Sequence, residues 1–130
     1  MSIQSRGTKI FAFLFAVALV FGFSSWAGAA QINIGALNDM TGATSDVGKD
    51  YALGIAEAIH YINDSGGING RQIKLYQFDY GYRIPEALTK YKLFKRLNCV
   101  AIQGWGTGDT EALAPTVAKD QIPYISASYS

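Results

Sequence analysis

Residues 99–110, Cys99-Val100-Ala101-Ile102-Gln103-Gly104-Trp105-Gly106-Thr107-Gly108-Asp109-Thr110, set a short apolar run directly before a glycine-rich bend. The run Cys99 to Ile102 suits a parallel strand covered on both faces. The glycines after it let main-chain N–H groups approach a bound molecule closely. Asp109 reads as the cap of a helix running to about Lys119, with Pro115 marking a kink or a late start. A helix N-terminus after such a bend favours an anion such as a carboxylate. Trp105 is placed to pack an apolar part of the same molecule. A tight strand-to-helix turn with a buried tryptophan is the alternative reading of these residues.

Outward from this stretch, strand and helix signals alternate. Ile32, Ile34 and Leu37 predict a strand near Gln31 to Leu37, followed by a polar loop from Asn38 to Asp46. Ser45 or Asp46 is a candidate cap for a helix in which Ala52, Ile55, Ala56, Ile59 and Ile62 recur at helical spacing. Asp64-Ser65-Gly66-Gly67 stops that helix, and Asn69-Gly70 turns into a second strand over Arg71 to Asp79. Pro85 suits the first turn of a second helix, with Leu88, Tyr91, Phe94 and Leu97 as its buried stripe. Ile122 to Ser126 reads as a fourth strand. The order β-α-β-α-β-α-β predicts an α/β fold, a doubly wound parallel sheet with helices on both faces. Ligands of such sheets sit outside the carboxyl ends of the strands. The loops there are Asn38 to Asp46, Asp79 to Ile84 and Gln103 to Asp109, with Ala127 to Ser130 as a fourth segment.

The first thirty residues have a different character. Arg6 and Lys9 form a basic start, Ile10 to Phe23 is unbroken apolar, and Ala27-Gly28-Ala29-Ala30 is small. That order predicts a secretory signal peptide over 1–29. The run falls short of the roughly 20 apolar residues that span a bilayer. With its flanks, Ile10 to Ala30 is long enough for an uncleaved anchor, which is the alternative. Cleavage fits after Ala29 and almost equally after Ala30.

Composition narrows the function classes. Without Arg6 and Lys9, nine Lys plus Arg stand against ten Asp plus Glu, a net charge of −1. Such a domain exerts no general pull on nucleic acid or anionic membrane. The single cysteine, Cys99, lies in an apolar run and reads as a small buried hydrophobe. One Cys and one His supply no specific metal site, and no cofactor is expected. A dinucleotide fingerprint starting at Gly104 would need glycine where Asp109 stands, and the bend follows the third strand rather than the first. Neither a Gly-Lys-Ser/Thr phosphate loop nor a Gly-x-Ser-x-Gly elbow occurs. His60 and Asp64 read as an exposed pair on a helix face. Asp79, with no partner base, reads as structural, and Tyr80, Tyr82 and Arg83 as candidates for the mouth of a cleft.

Ile34-Gly35-Ala36-Leu37, Thr41-Gly42, Gly48 and above all Ile62-Asn63-Asp64-Ser65-Gly66-Gly67-Ile68-Asn69-Gly70-Arg71 resemble the leucine/isoleucine/valine-binding protein family. Asp79, Pro85-x-Ala87, Gly104, Ala114-Pro115 and Ile122-Pro123-Tyr124-Ile125-Ser126 fall in the same family order, so the likeness covers Gln31 to Ser130. It implies a Rossmann-like first lobe of a two-lobed type I periplasmic binding protein, residues 30–130, with the hinge and second lobe outside this sequence. It further implies no enzyme activity, a periplasmic location, and delivery of an amino acid, amide or aromatic acid to an ABC permease. Carried over residue by residue, the ligand contacts are Thr107, Gly108 and Asp109, then Ser128, Tyr129 and Ser130, with a side chain near Val47. Two departures bear on the solute: Gly108 stands where the family often has serine, and Asp79-Tyr80 where Asp-Asp is common. A sensor domain of the same fold, tethered to a signalling protein, is the competing expectation. An exported α/β enzyme is a third.

Overall fold

The computed structural model describes residues 30–128. The elements are β1 (Ile32–Asn38), α1 (Ser45–Asp64), β2 (Ile73–Asp79), α2 (Ile84–Arg96), β3 (Ala101–Gln103), α3 (Thr107–Asp120) and β4 (Tyr124–Ile125). All strand pairs are parallel, in the order β2-β1-β3-β4. The doubly wound α/β expectation is borne out. Residues 1–29, where the signal peptide is expected, lie outside the described residues.

Side-chain alternation along the strands assigns each helix to a face. A Cβ on Gly35 of β1 would fall 2.8 Å from the Phe94 ring of α2, so that ring lies directly on the strand. Gln77 of β2, one residue out of phase with Gly35, instead donates to the Ala52 carbonyl of α1 at 2.9 Å. The two helices therefore cover opposite faces. The core lies on the α2 side, where Leu37, Tyr91, Phe94, Ile102 and Leu113 are buried together. Full burial of each such side chain contributes about 1.5–3 kcal/mol.

The motif over 62–71 has a visible mechanical purpose. The Asn63 carboxamide accepts from Ile73 N–H at 2.7 Å and donates to Ile73 C=O at 2.9 Å, fastening the end of α1 to the start of β2. Gly67, at φ +74°, lies against the Arg71 carbonyl, where a Cβ would sit 2.2 Å from the oxygen. Arg71 in turn donates to the Ala30 carbonyl at 2.6 Å.

Several expected boundaries move. Neither Ser45 nor Asp46 caps α1: Thr44 occupies that position without a side-chain cap bond, because its hydroxyl is turned to Asp39. Helix α3 starts at Thr107, so Asp109 is its third residue rather than its cap, and Pro115 lies well inside it. In α2 the buried stripe is Ala87, Tyr91 and Phe94; Leu88, one residue and about 100° further round, is 38% exposed. Val100, just before β3, is 57% exposed although its N–H already donates to the Asn33 carbonyl at 2.9 Å. β4 is two residues long. Cys99 is buried, and burial pushes its thiol pKa up, as an unreactive core residue requires.

Candidate functional site

The strand order reverses direction between β1 and β3: the chain steps from β1 to β2 on one side and from β3 to β4 on the other. Crevices in open parallel sheets form at such a switch point, outside the carboxyl ends of the strands. The loop after β1 and the bend after β3 meet there. Trp105 Nε1 donates to Thr44 Oγ1 at 2.8 Å, and the Trp105 and Tyr51 ring centroids are 5.0 Å apart. The Thr44 hydroxyl donates in turn to the buried Asp39 carboxylate at 2.7 Å. Asp39 also accepts from Thr44 N–H at 2.7 Å and Gly42 N–H at 2.6 Å. The indole is thus held by a relay anchored in the first loop.

Asp79 ties the second loop to the first. It accepts from Met40 N–H at 2.8 Å, Thr41 Oγ1 at 2.5 Å and Gly81 N–H at 2.9 Å. Burial raises the pKa of Asp39 and of Asp79, but these hydrogen bonds outweigh it, and both carboxyls sit below the usual range. A structural role for Asp79 fits this geometry.

Asp109 organises the third and fourth loops from inside. Its fully buried carboxylate accepts from Tyr80 Oη at 2.5 Å, Gly106 N–H at 2.8 Å, Trp105 N–H at 3.3 Å and the Tyr124 hydroxyl. Two tyrosines from opposite edges of the sheet and two loop N–H groups therefore converge on one side chain. Burial and the neighbouring carboxylate push both tyrosine pKa values far up, so both hydroxyls stay protonated donors.

On the outer side of this node lies an open depression of ≈ 490 Å³. It is lined by Thr44, Tyr82, Trp105, Gly106 and Thr107 with Ala127 and Ser128. Thr107 Oγ1 and Ser128 Oγ are 2.7 Å apart. One turn further along α3, Thr110 Oγ1 and Ser126 Oγ are also 2.7 Å apart. The N-terminus of α3 lies at the same end. The arrangement offers hydroxyl and amide groups on one side and aromatic surface on the other. That suits recognition of a small polar molecule with an apolar part.

Of the residues expected to touch a ligand, Trp105, Thr107 and Ser128 come together in this depression. Gly108 faces α2 instead: a Cβ there would fall 3.0 Å from Ile84 Cδ1. The Asp109 carboxylate points inward, into its tyrosine and loop partners. Val47 is 64% exposed on the first turn of α1 and does not line the depression. Tyr129 and Ser130 lie outside the described residues. The sequence reading did not single out Thr44; its only signal is a hydroxyl five residues after Asp39. A second, more apolar groove runs between α3 and β4 past Val117, Ile122 and Pro123, away from the loops at the switch point.

A family model described as "Periplasmic binding protein" matches residues 31–130. An amino acid binding protein of Pseudomonas aeruginosa is 42% identical over 64 residues, 49% of this chain and 17% of that protein. A crystal structure of an ABC transporter substrate-binding protein from Aeropyrum pernix is 44% identical with a TM-score of 0.73, covering 78% of this chain and 28% of that one. The branched-chain amino acid transporter substrate-binding protein of Streptococcus pneumoniae, solved with isoleucine, is 29% identical with a TM-score of 0.70, over 75% of this chain and 29% of that one. The chain thus spans less than a third of the length of each of these proteins. The matches bear out the resemblance to the leucine/isoleucine/valine-binding protein family read across Gln31 to Ser130.

Proposed function

From the premise that the chain belongs to the periplasmic binding protein family, we propose that it forms one wall of an extracytoplasmic receptor. The receptor captures an amino acid or related small carboxylate-bearing solute for an ABC importer. The observation that carries the reading is the meeting of Thr107 and Ser128 beside the N-terminus of α3. A carboxylate placed there takes hydroxyl and main-chain N–H donors together, and the helix dipole favours its charge. The Trp105 ring covers an apolar part of the solute.

Magnitudes imply a second wall. A hydrogen bond to a charged group contributes about 1.5–3 kcal/mol, so three give roughly 5–9 kcal/mol. Association itself costs an estimated 4–15 kcal/mol. One open wall therefore binds weakly, and a second lobe closing by hinge bending supplies the remaining contacts and excludes water. The permease then receives the closed, loaded form. The role is capture and release, without a chemical step. A periplasmic location follows the same reading and is supported by the basic, apolar and small-residue order of residues 1–30.

Thermal-shift screening of the full-length mature protein against amino acids, amides and aromatic acids tests this function. Specific stabilisation by one carboxylate class, growing with concentration, is expected. Indifference to every class would contradict it.

A further inference from the structure

The turn Tyr80-Gly81-Tyr82-Arg83 is closed by an Arg83 N–H to Tyr80 C=O bond of 3.0 Å. Both central residues have positive φ, Gly81 at +57° and Tyr82 at +57°. Turns of this kind favour Asn and Gly, and a bulky residue at positive φ is an outlier. Strain of this sort persists where the surrounding structure uses it, and it clusters at ligand sites. Here it lays a phenol ring on the rim of the depression.

The ring's seat is equally particular. A Cβ on Gly106 would come within 2.6 Å of Tyr82 Cε2 and 2.8 Å of its hydroxyl. The bare α-carbon at position 106 lets the ring lie beside the start of α3, where a larger residue would displace it. The Tyr80 ring supports it at a centroid distance of 5.8 Å. Tyr82 remains 36% exposed and lines the depression together with Trp105. Among the described residues of that depression there are two aromatic rings and no branched aliphatic side chain.

We propose that Tyr82 contacts the solute and sets its class, selecting a carboxylate with a flat aromatic body over one with a branched aliphatic body. The inference deepens the solute-binding reading and rests on it. Aromatic faces pair through offset or edge-to-face contact with another ring. An aliphatic side chain gains only contact area from the same surface. The carboxylate occupies the Thr107–Ser128 end, and the ring of the solute lies along Tyr82.

Calorimetric titration of the full-length protein with phenylalanine, phenylacetate, leucine and isoleucine tests this. The native protein is expected to prefer the aromatic ligands at least tenfold. Tyr82→Phe retains that preference. Tyr82→Gly relieves the positive-φ strain and brings the two classes to within about threefold, with a melting temperature unchanged or raised. That pairing separates a binding role from a folding one. Equal or better binding of leucine by the native protein overturns the inference while leaving the solute-binding function standing. So does an aromatic preference that survives in Tyr82→Gly. If none of the four ligands binds while the thermal-shift screen finds another carboxylate that does, the inference falls and the solute-binding function stands.

Discussion

The Thr107 and Ser128 hydroxyls stand 2.7 Å apart although 21 residues separate them in the chain. The contact joins the first turn of α3 to the segment after β4. It exists because β3 and β4 are parallel neighbours, with Gln103 aligned to Ile125, so the residues leaving both strands emerge at the same edge. Helix geometry then repeats the contact one turn on, between Thr110 and Ser126.

Removing either hydroxyl should weaken solute binding without unfolding the protein. Thr107→Ala and Ser128→Ala are each expected to lower affinity by about tenfold, the equivalent of 1.4 kcal/mol. Because the groups touch, the double variant should lose less than the product of the two. Calorimetric titration of the four proteins measures this directly.

Asp109 should matter for stability far more than an exposed acid does. Asp109→Ala would leave the Tyr80 and Tyr124 hydroxyls and two loop N–H groups without their acceptor. Each orphaned buried donor costs about 1–3 kcal/mol, so a loss above about 3 kcal/mol is expected in urea unfolding. Asp109→Asn keeps one acceptor oxygen and should lose clearly less.

Two glycines of α1 should respond with opposite signs. Alanine is favoured over glycine in a helix by about 1 kcal/mol. At Gly54 a Cβ meets nothing within 4 Å, so Gly54→Ala should stabilise by about 0.5–1 kcal/mol. At Gly48 it would fall 1.9 Å from the Asp39 main-chain carbonyl oxygen. That atom cannot swing aside, the clash outweighs the propensity gain, and Gly48→Ala should destabilise by about 1–3 kcal/mol. Thermal unfolding of both variants gives the comparison.

Acid should loosen the loops after β1 and β2. The carboxyls of Asp39 and Asp79 are depressed in the folded protein, burial being outweighed by their hydrogen bonds. A depressed carboxyl adds stability that is fully present above the unfolded value of about 3.9. That stability is lost as pH falls through the lower folded value. Unfolding free energy should therefore decline as pH drops below about 4, with a shallower decline in Asp39→Asn and Asp79→Asn.

The alternation of apolar strands and helical stripes made the sheet legible in the sequence, as did the glycines at 66, 67 and 70. Local pattern was poorer at details settled by partners distant in sequence. Thr44 is diverted from capping α1 because its hydroxyl bridges Asp39 and Trp105, 61 residues away. Asp109 reads as a cap because an acid at a helix start usually is one, and as a ligand contact only through the family resemblance. Its tyrosine partners, 29 and 15 residues distant, turn it inward. Tyr82 was legible as a candidate for the cleft mouth, but its positive φ and its seat against Gly106 were not, since both depend on residues distant in the chain.

Amide hydrogen exchange on the full-length protein, with and without a stabilising solute, bears most directly on whether residues 104–110 and 126–128 form one half of a binding site. Both stretches should become protected together when solute is added. Protection confined to other loops, with these two exchanging as before, would place the solute elsewhere and contradict the assignment.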